Sequence, residues 1–515
     1  MMRWIAFFLI AALFTLTGCA VNPVTGKNEF ALIGESTEIS TGVQNYQPSR
    51  QMQGGDYTTH PQVTRYVQQV GQKLAAVSDR QLPYEFKVIN DSTPNAWALP
   101  GGKIAINRGL LVELDNEAEL AAVLGHEIVH AAARHGAKGM ERGMLLQGAV
   151  LAASIASENS EYSALATSGA SVAAQLVNQK YGRDAERESD YYGMHYMARA
   201  GYDPSAAIKL QQTFVRLSEG RESNWLTGLF ASHPPSQERV DANRQTAATL
   251  PQGGTLGIKS YQQAMAPLLA DREAYQAYDE GRKALTDGDT ALALALAEKA
   301  LRLQPAEALF HSLRGDIRFK QQRFDDAIIN YDRAIARNDS YFHFYLQRGL
   351  ANKQLGRTNE ARADLEKSNA FLPTAPAQAA LGQFALQRGN RNLAKQLFAS
   401  AAQSSSAIGQ QARLDFVRLD LSEHPEKYLD VDLALDRSGY LVMALTNNSG
   451  LPVDSVVVQI QFLDNSSRLR RVQTSIAGII ERDASRTLTT GIGPITTDKQ
   501  REALGAQVLK ADIAE

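Results

Sequence analysis

The chain has one cysteine in 515 residues, Cys19, so no disulfide can form within it and its folded parts have none to rely on. An excess of charge of either sign is missing as well. Lys and Arg number 53 against 55 Asp and Glu, a formal net charge of -2. Nucleic-acid binders ordinarily carry a basic excess, which sets that class aside. Long hydrophobic runs are also lacking. Trp4–Leu16 is apolar except at Thr15 but covers thirteen residues, short of the roughly 20 that a bilayer span needs. Met144–Ala156 is equally short, contains Gln147 and is followed by Glu158 and Glu161, so it is expected as a buried or interfacial helix. The remaining composition, 44% hydrophobic and 21% charged, is that of a folded water-soluble protein. At ~150 residues per domain the length suggests three or four domains.

The N-terminal run has a use other than spanning. Arg3 precedes it and Leu16-Thr17-Gly18-Cys19 follows it, the pattern of a secretory signal. This resembles a bacterial lipobox, in which the signal is cut before the cysteine and the thiol is lipidated. Lipidation accounts for a lone cysteine in an exported chain, and the three acyl chains that the resemblance implies give stable anchoring. Ala20, not Asp, comes next, which by the same analogy addresses the chain to the outer membrane, facing the periplasm. Residues 1–18 are therefore expected as a lipoprotein signal peptide. Residues 19–55, polar and rich in Gly, Asn and Thr, are expected as a lipidated tether with a short helix.

Helical patterning begins near Gln62 (Val63, Tyr66, Val67, Val70, Leu74) and leads to an extended segment, Tyr84 to Asn90. Asn95-Ala96-Trp97-Ala98-Leu99, a Pro-Gly-Gly turn and Lys103-Ile104-Ala105-Ile106-Asn107 read as a hairpin. Asn116 and Glu119 form a capping-box-like start for the next helix. Pro251-Gln252-Gly253-Gly254 marks the expected end of a first domain over 56–250. Beyond it the sequence repeats. Gly281, Gly315, Gly349 and Gly382 are spaced 34, 34 and 33 apart, and an alanine stands twelve residues after each (Ala293, Ala327, Ala361, Ala394). Tyr331 and Phe398 share an aromatic position. These are the marks of four tetratricopeptide repeats over 270–405, helix pairs that approach closely through small residues. After Pro425, runs at Leu429–Leu435, Tyr440–Thr446 and Val456–Leu463, parted by Gly- and Asn-rich turns, predict a small β-sandwich over 425–515.

The chemistry centres on His126-Glu127-Ile128-Val129-His130. On a helix, positions i and i+4 share a face, so both imidazoles can reach one metal ion. Glu127 is turned about 100° away and can reach a metal-bound water without being a ligand. Zinc brings that water's pKa toward ~7, and a carboxylate can take its proton as it attacks a peptide carbonyl. A catalytic zinc needs a third protein ligand. Neither Ala133 nor Gly136 supplies the metzincin pattern, and His135 is expected to be exposed or structural. Downstream, Arg183-Asp184-Ala185-Glu186-Arg187-Glu188-Ser189-Asp190 has a helical context. Glu186 and Asp190 share a face, so Glu186 can ligate while Asp190 reaches the other ring nitrogen of a ligand histidine. Glu188, about 200° around from Glu186, is expected to face elsewhere. A charged surface helix with intrahelical ion pairs is the alternative for this segment.

Together these residues resemble the HtpX and CAAX-prenyl-protease family of zinc metallopeptidases, which pairs H-E-x-x-H with a distant E-x-x-x-D. The resemblance implies a gluzincin-like α+β fold, one zinc per chain and Glu186 as third ligand. Ser189 stands where the family usually has Ala. It also implies that Asn95, Ala96, Trp97 and Ala98 form an exposed edge strand to which substrate adds by backbone hydrogen bonds. For Ser232-His233-Pro234-Pro235, with Arg239 behind it, it implies a histidine able to occupy zinc's open position and silence the enzyme, or else to act on the transition state.

The expected molecule is multidomain and mainly α: a metalloprotease domain with a small sheet, an α-solenoid of repeats and a C-terminal β-sandwich. The expected function is zinc-dependent endopeptidase action on misfolded envelope proteins, outer-membrane β-barrel precursors among them. The repeats would hold clients or the assembly machinery. A non-enzymatic lipoprotein chaperone or scaffold, its zinc site structural or blocked, is the alternative, but a pure scaffold has no need of Glu127.

Overall fold

The computed structural model describes residues 19–144, 181–220 and 232–514. The signal segment lies outside the described residues, as does the run Met144–Ala156 beyond its first residue. Strands β1 (Cys19–Val21) and β2 (Asn28–Phe30) pair antiparallel, and helix α1 (Glu35–Met52) follows. This corrects the expected tether, because α1 is packed through polar contacts. Glu38, 1% exposed, receives Arg80 at 2.9 and 3.0 Å and Arg134 at 3.1 Å.

Helix α2 (Pro61–Ala75) buries Val63, Val67, Val70 and Leu74, the stripe its spacing predicts. Strands β3 (Glu85–Ile89), β4 (Ala96–Leu99) and β5 (Lys103–Asn107) form a sheet of order β3-β5-β4. β5 runs parallel to β3 and antiparallel to β4, and the turn between β4 and β5 places Gly101 and Gly102 at φ of +76° and +84°. Glycine enters that region without steric cost. β4 lies at the sheet edge, but its residues are no more than 5% exposed. The expected open edge is thus covered. Tyr46 of α1 packs edge-on against Trp97 at 5.9 Å, Trp97 Nε1 donates to Gln53 Oε1 at 3.1 Å, and Met140 joins the same cluster.

After the short helix α3 (Arg108–Leu111), helix α4 (Glu117–Ala132) carries the two motif histidines. Asn116 caps it by accepting from the Glu119 N–H at 3.0 Å, and the Glu119 carboxylate accepts from the Asp115 N–H and the Asn116 amide. All of its residues from Ala118 to Ala132 are buried, which excludes a solvated helix for the motif. Arg134, at φ +63°, turns the chain before helical structure resumes over 135–144. Helix α5 (Arg183–Arg199) crosses α4 where two glycines meet: a Cβ on Gly193 would lie 3.1 Å from the His126 nitrogen. Helices α6 (Ser205–Gly220) and α7 (Gln237–Thr249) complete this region.

The expected boundary at Pro251–Gly254 is not a break in the core. Thr255 bridges to Tyr202, and helix α8 (Ile258–Ala270) buries Tyr261, Met265 and Leu268, with the Tyr261 hydroxyl donating to the Leu111 carbonyl at 2.6 Å. Three helix pairs follow: α9 (Arg272–Thr286) with α10 (Thr290–Leu303), α11 (Ala308–Lys320) with α12 (Phe324–Ile335), and α13 (Phe342–Gln354) with α14 (Thr358–Phe371). One hydrophobic cluster runs from Val24 to Phe344. Glu307 of the repeats accepts from Thr59, Asn90 and Tyr275. The compact unit therefore extends over Met1–Pro373.

The second unit, Thr374–Glu515, takes the fourth pair, α15 (Ala375–Gln387) with α16 (Arg391–Ala401), then α17 (Ala407–Asp420). The repeat spacing is realised as ring-on-glycine contacts. A Cβ at Gly315 would lie 2.6 Å from the Tyr331 ring, and one at Gly382 2.7 Å from Phe398. Strands β6 (Leu429–Leu435), β7 (Leu441–Asn447), β8 (Val453–Leu463), β9 (Leu469–Ile476), β10 (Ser485–Thr489) and β11 (Gly505–Ile513) form two antiparallel sheets, ordered β10-β7-β6 and β11-β8-β9. Leu441, Met443 and Leu445 of one share a core with Val456, Val458 and Ile460 of the other. Among the described residues no helix is long and apolar enough to cross a membrane.

Candidate metal centre

Helix α4 turns His126 and His130 to one side, α5 presents Glu186 and Asp190, and the segment before α7 brings His233. Ligand-type atoms of His126, His130, Glu186 and His233 all lie within 4.8 Å of one another. His126 Nε2 is 3.0 Å from His130 Nε2 and 3.3 Å from His233 Nδ1. Glu186 Oε1 is 2.9 Å from His233 Nδ1 and 3.3 Å from His130 Nε2. Glu127 sits at the margin, Oε1 3.6 Å from His233 Nε2. A cavity of about 40 Å³ beside it is lined by Val123, Met194, Leu210 and Phe214 among others.

Burial dominates the electrostatics. It pushes the His130 imidazole well below its usual pKa and raises the Glu127 carboxyl. Burial would raise Glu186 and Asp190 too. The charges of His233 and His126 nevertheless hold Glu186 well below the usual carboxylate range, and Arg239 holds Asp190 below it. His233 is lifted against its burial by Glu186 and Glu127.

Further neighbours complete the site. Arg239 grips Asp190 at 2.7 and 2.8 Å and reaches Glu186 Oε2 at 3.0 Å. Tyr181 stacks on His130 with ring centres 3.9 Å apart. His135 is buried, not exposed, and Glu188 does not face away: His135 Nδ1 is 3.0 Å from His130 Nδ1, and its Nε2 is 3.3 Å from Glu188 Oε1. The left-handed Arg134 returns the chain toward α5, which helical spacing from His130 does not anticipate. Asn95, Ala96, Trp97 and Ala98 lie on the sheet edge and Cys19 in β1, none of them in the ligand cluster.

The donor set suits a divalent cation. The Asp190 carboxylate can only accept, so His126 Nδ1 donates to its Oδ1 at 2.9 Å, and the neutral ring that metal binding requires would present its lone pair on Nε2 to the cluster. Glu127 Oε2 is buried without a hydrogen-bond partner. With the imidazoles neutral, as ligation requires, the carboxylates of buried Glu127 and Glu186 and of partly buried Asp190 exceed the Arg239 guanidinium by two charges, so a doubly charged ion would restore neutrality.

Residues 61–247 match peptidase family M48, and residues 278–342 and 314–376 match the tetratricopeptide repeat. Residues 61–247 are thus similar to an M48 peptidase domain, and matches to tetratricopeptide repeats follow them. It is 26% identical over 445 residues to the beta-barrel assembly-enhancing protease of Escherichia coli K12, covering 72% of this chain and 87% of that one. The protein of that name from Yersinia pestis is 26% identical over 332 residues, covering 57% and 65%. Mitochondrial metalloendopeptidase OMA1 of Schizosaccharomyces pombe is 36% identical over 187 residues, covering 35% and 52%. The chain spans between 40% and 65% of the length of several curated relatives that it matches.

Proposed function

We propose that this protein is a zinc-dependent endopeptidase of the bacterial envelope, with the ion held by His126, His130 and Glu186. The observation that carries the reading is the convergence of those three side chains beside Glu127, whose Oε2 is buried and unpartnered. When bound, zinc would supply Lewis acidity toward a peptide carbonyl and lower the pKa of water. Glu127 Oε2 takes the proton of the attacking water and returns it to the departing amine. A carboxyl whose proton affinity is raised by burial suits that transfer. Asp190, clamped by Arg239, fixes the tautomer of His126.

His233 is read as a regulatory ligand. Its Nδ1 stands among the ligand atoms, where an imidazole fills the place that water needs, so it must withdraw before turnover; a transition-state role is the other use of this position. Misfolded envelope proteins are the proposed clients. Outer-membrane β-barrel precursors and their assembly machinery are proposed among the clients or partners, in line with the name of the Escherichia coli relative, which speaks of β-barrel assembly. Cys19 is the proposed lipid anchor, at the outer membrane facing the periplasm.

Purified protein is expected to hold about one zinc per chain, the stoichiometry of a three-ligand site. Glu127→Gln should keep the metal and lose casein digestion, and Glu186→Ala should lose the metal. Full activity in Glu127→Gln would sink the mechanism.

A further inference from the structure

We propose that His135 and Glu188 are positioning residues of the metal centre, which set the tautomer and ring plane of His130, and that Asn22 of the N-terminal hairpin holds Glu188 in place. The proposal rests on His130 being a metal ligand.

His130 Nε2 points into the cluster, 3.0 Å from His126 Nε2 and 3.3 Å from Glu186 Oε1. Its other nitrogen, Nδ1, lies 3.0 Å from His135 Nδ1. Two ring nitrogens at that distance share one proton, so one donates and the other accepts. The far end of the chain decides which. His135 Nε2 is 3.3 Å from Glu188 Oε1, and a carboxylate accepts, so the single proton of the neutral His135 ring sits on Nε2. His135 Nδ1 is then an acceptor, and His130 Nδ1 must donate to it. That leaves the lone pair of His130 on Nε2, toward the ion. A carboxylate two rings away thereby dictates which nitrogen of His130 can ligate. Metal-bound histidines commonly donate their second N–H to a fixed acceptor, and here a second histidine relays that role. Tyr181, stacked on the ring at 3.9 Å, bounds its tilt.

Glu188 is itself held from the hairpin. Asn22, 1% exposed, directs Nδ2 toward Glu188 Oε1 at 3.4 Å and toward Glu29 Oε1 at 3.1 Å. Its Oδ1 accepts from the N–H groups of Val24 and Thr25 at 2.9 and 3.2 Å, so the amide cannot turn over without losing both. Glu29 pairs with Lys138 at 2.6 Å, in the helical segment that follows Arg134. The hairpin is thus joined to both sides of the relay.

The test uses the full-length protein, with zinc affinity measured by chelator competition and the visible spectrum recorded after cobalt(II) loading. Glu188→Gln and His135→Leu are each expected to weaken zinc binding by about 10- to 100-fold and to alter the cobalt spectrum. Asn22→Ala should weaken it less, Glu188→Asp should restore part of the affinity, and the double variant should bind no worse than the weaker single. Metal-free melting temperatures should stay near wild type; Glu188, partly exposed, is the variant least able to unfold the domain. Zinc affinity within twofold of wild type in both single variants would overturn the proposal. So would losses matched in every variant by a fall in metal-free melting temperature. Wild-type protein that binds no zinc would overturn this proposal together with the functional reading beneath it.

Discussion

His126 and Glu127 are neighbours in sequence, yet the 100° step of a helix gives them different work. The same step made His130 legible as a partner of His126, and four-residue spacing made Asp190 legible beside Glu186. His135 and Glu188 were not legible. Arg134 breaks the helical screw between His130 and His135, so angles counted along α4 cease to apply. An imidazole that occupies the ion's open position must be displaced at every turnover, so His233→Ala is expected to retain zinc and digest casein faster. The gain is about tenfold if the hold is worth about 1.4 kcal/mol. Zinc content and initial rates check it: inactivity with zinc bound would assign His233 to the transition state, and lost zinc would make it an obligatory ligand.

Among elements, the crossing of α4 and α5 sets the distance between the histidine pair and Glu186. It depends on Gly125 and Gly193, where an added Cβ on either would meet backbone at 3.1–3.2 Å. Backbone cannot swing aside as a flexible side chain can. Gly193→Val is expected to destabilise the fold by about 1–3 kcal/mol, read as a lower denaturant midpoint, and to weaken zinc binding as α5 shifts. The elements themselves were largely legible where apolar periodicity writes them: α2, the β4–β5 hairpin, the repeat helices and the C-terminal strands. Helix α1 was expected only as a short helix after a tether, and its packing was not legible because its buried positions include Glu38, Asn45, Ser49 and Gln51. A core contact made by Glu38 with Arg80 and Arg134 leaves no hydrophobic stripe to find. The covered edge of β4 was missed for the same reason, since what covers it includes this helix.

At the scale of the molecule, the repeats are not an appendage of the protease. Tyr261, Met265, Tyr275 and Phe310 belong to the cluster that also holds Ile128 and Val129 of the motif helix. Each large side chain stripped from such a core costs about 1.5–3 kcal/mol, so losing four approaches the 5–15 kcal/mol that stabilises a typical domain. Truncation after Leu250 is therefore expected to give insoluble or low-melting protein. Truncation after Pro373, at the division between compact units, should leave a soluble fragment that binds zinc. Expression, melting temperature and zinc content of the two fragments decide the point.

The hairpin that begins at Cys19 carries a further consequence, one of reach. A flexible leash over residues 19–55 would let an anchored enzyme patrol roughly 30–35 Å from its membrane. Ordered structure from Cys19 onward, pinned through Asn22 and Glu38, removes that leash. An acyl chain on Cys19 would therefore seat the protease flush against the lipid headgroups. Its prey would be chains already at the bilayer surface, and a protein drifting free in the periplasm would pass out of range.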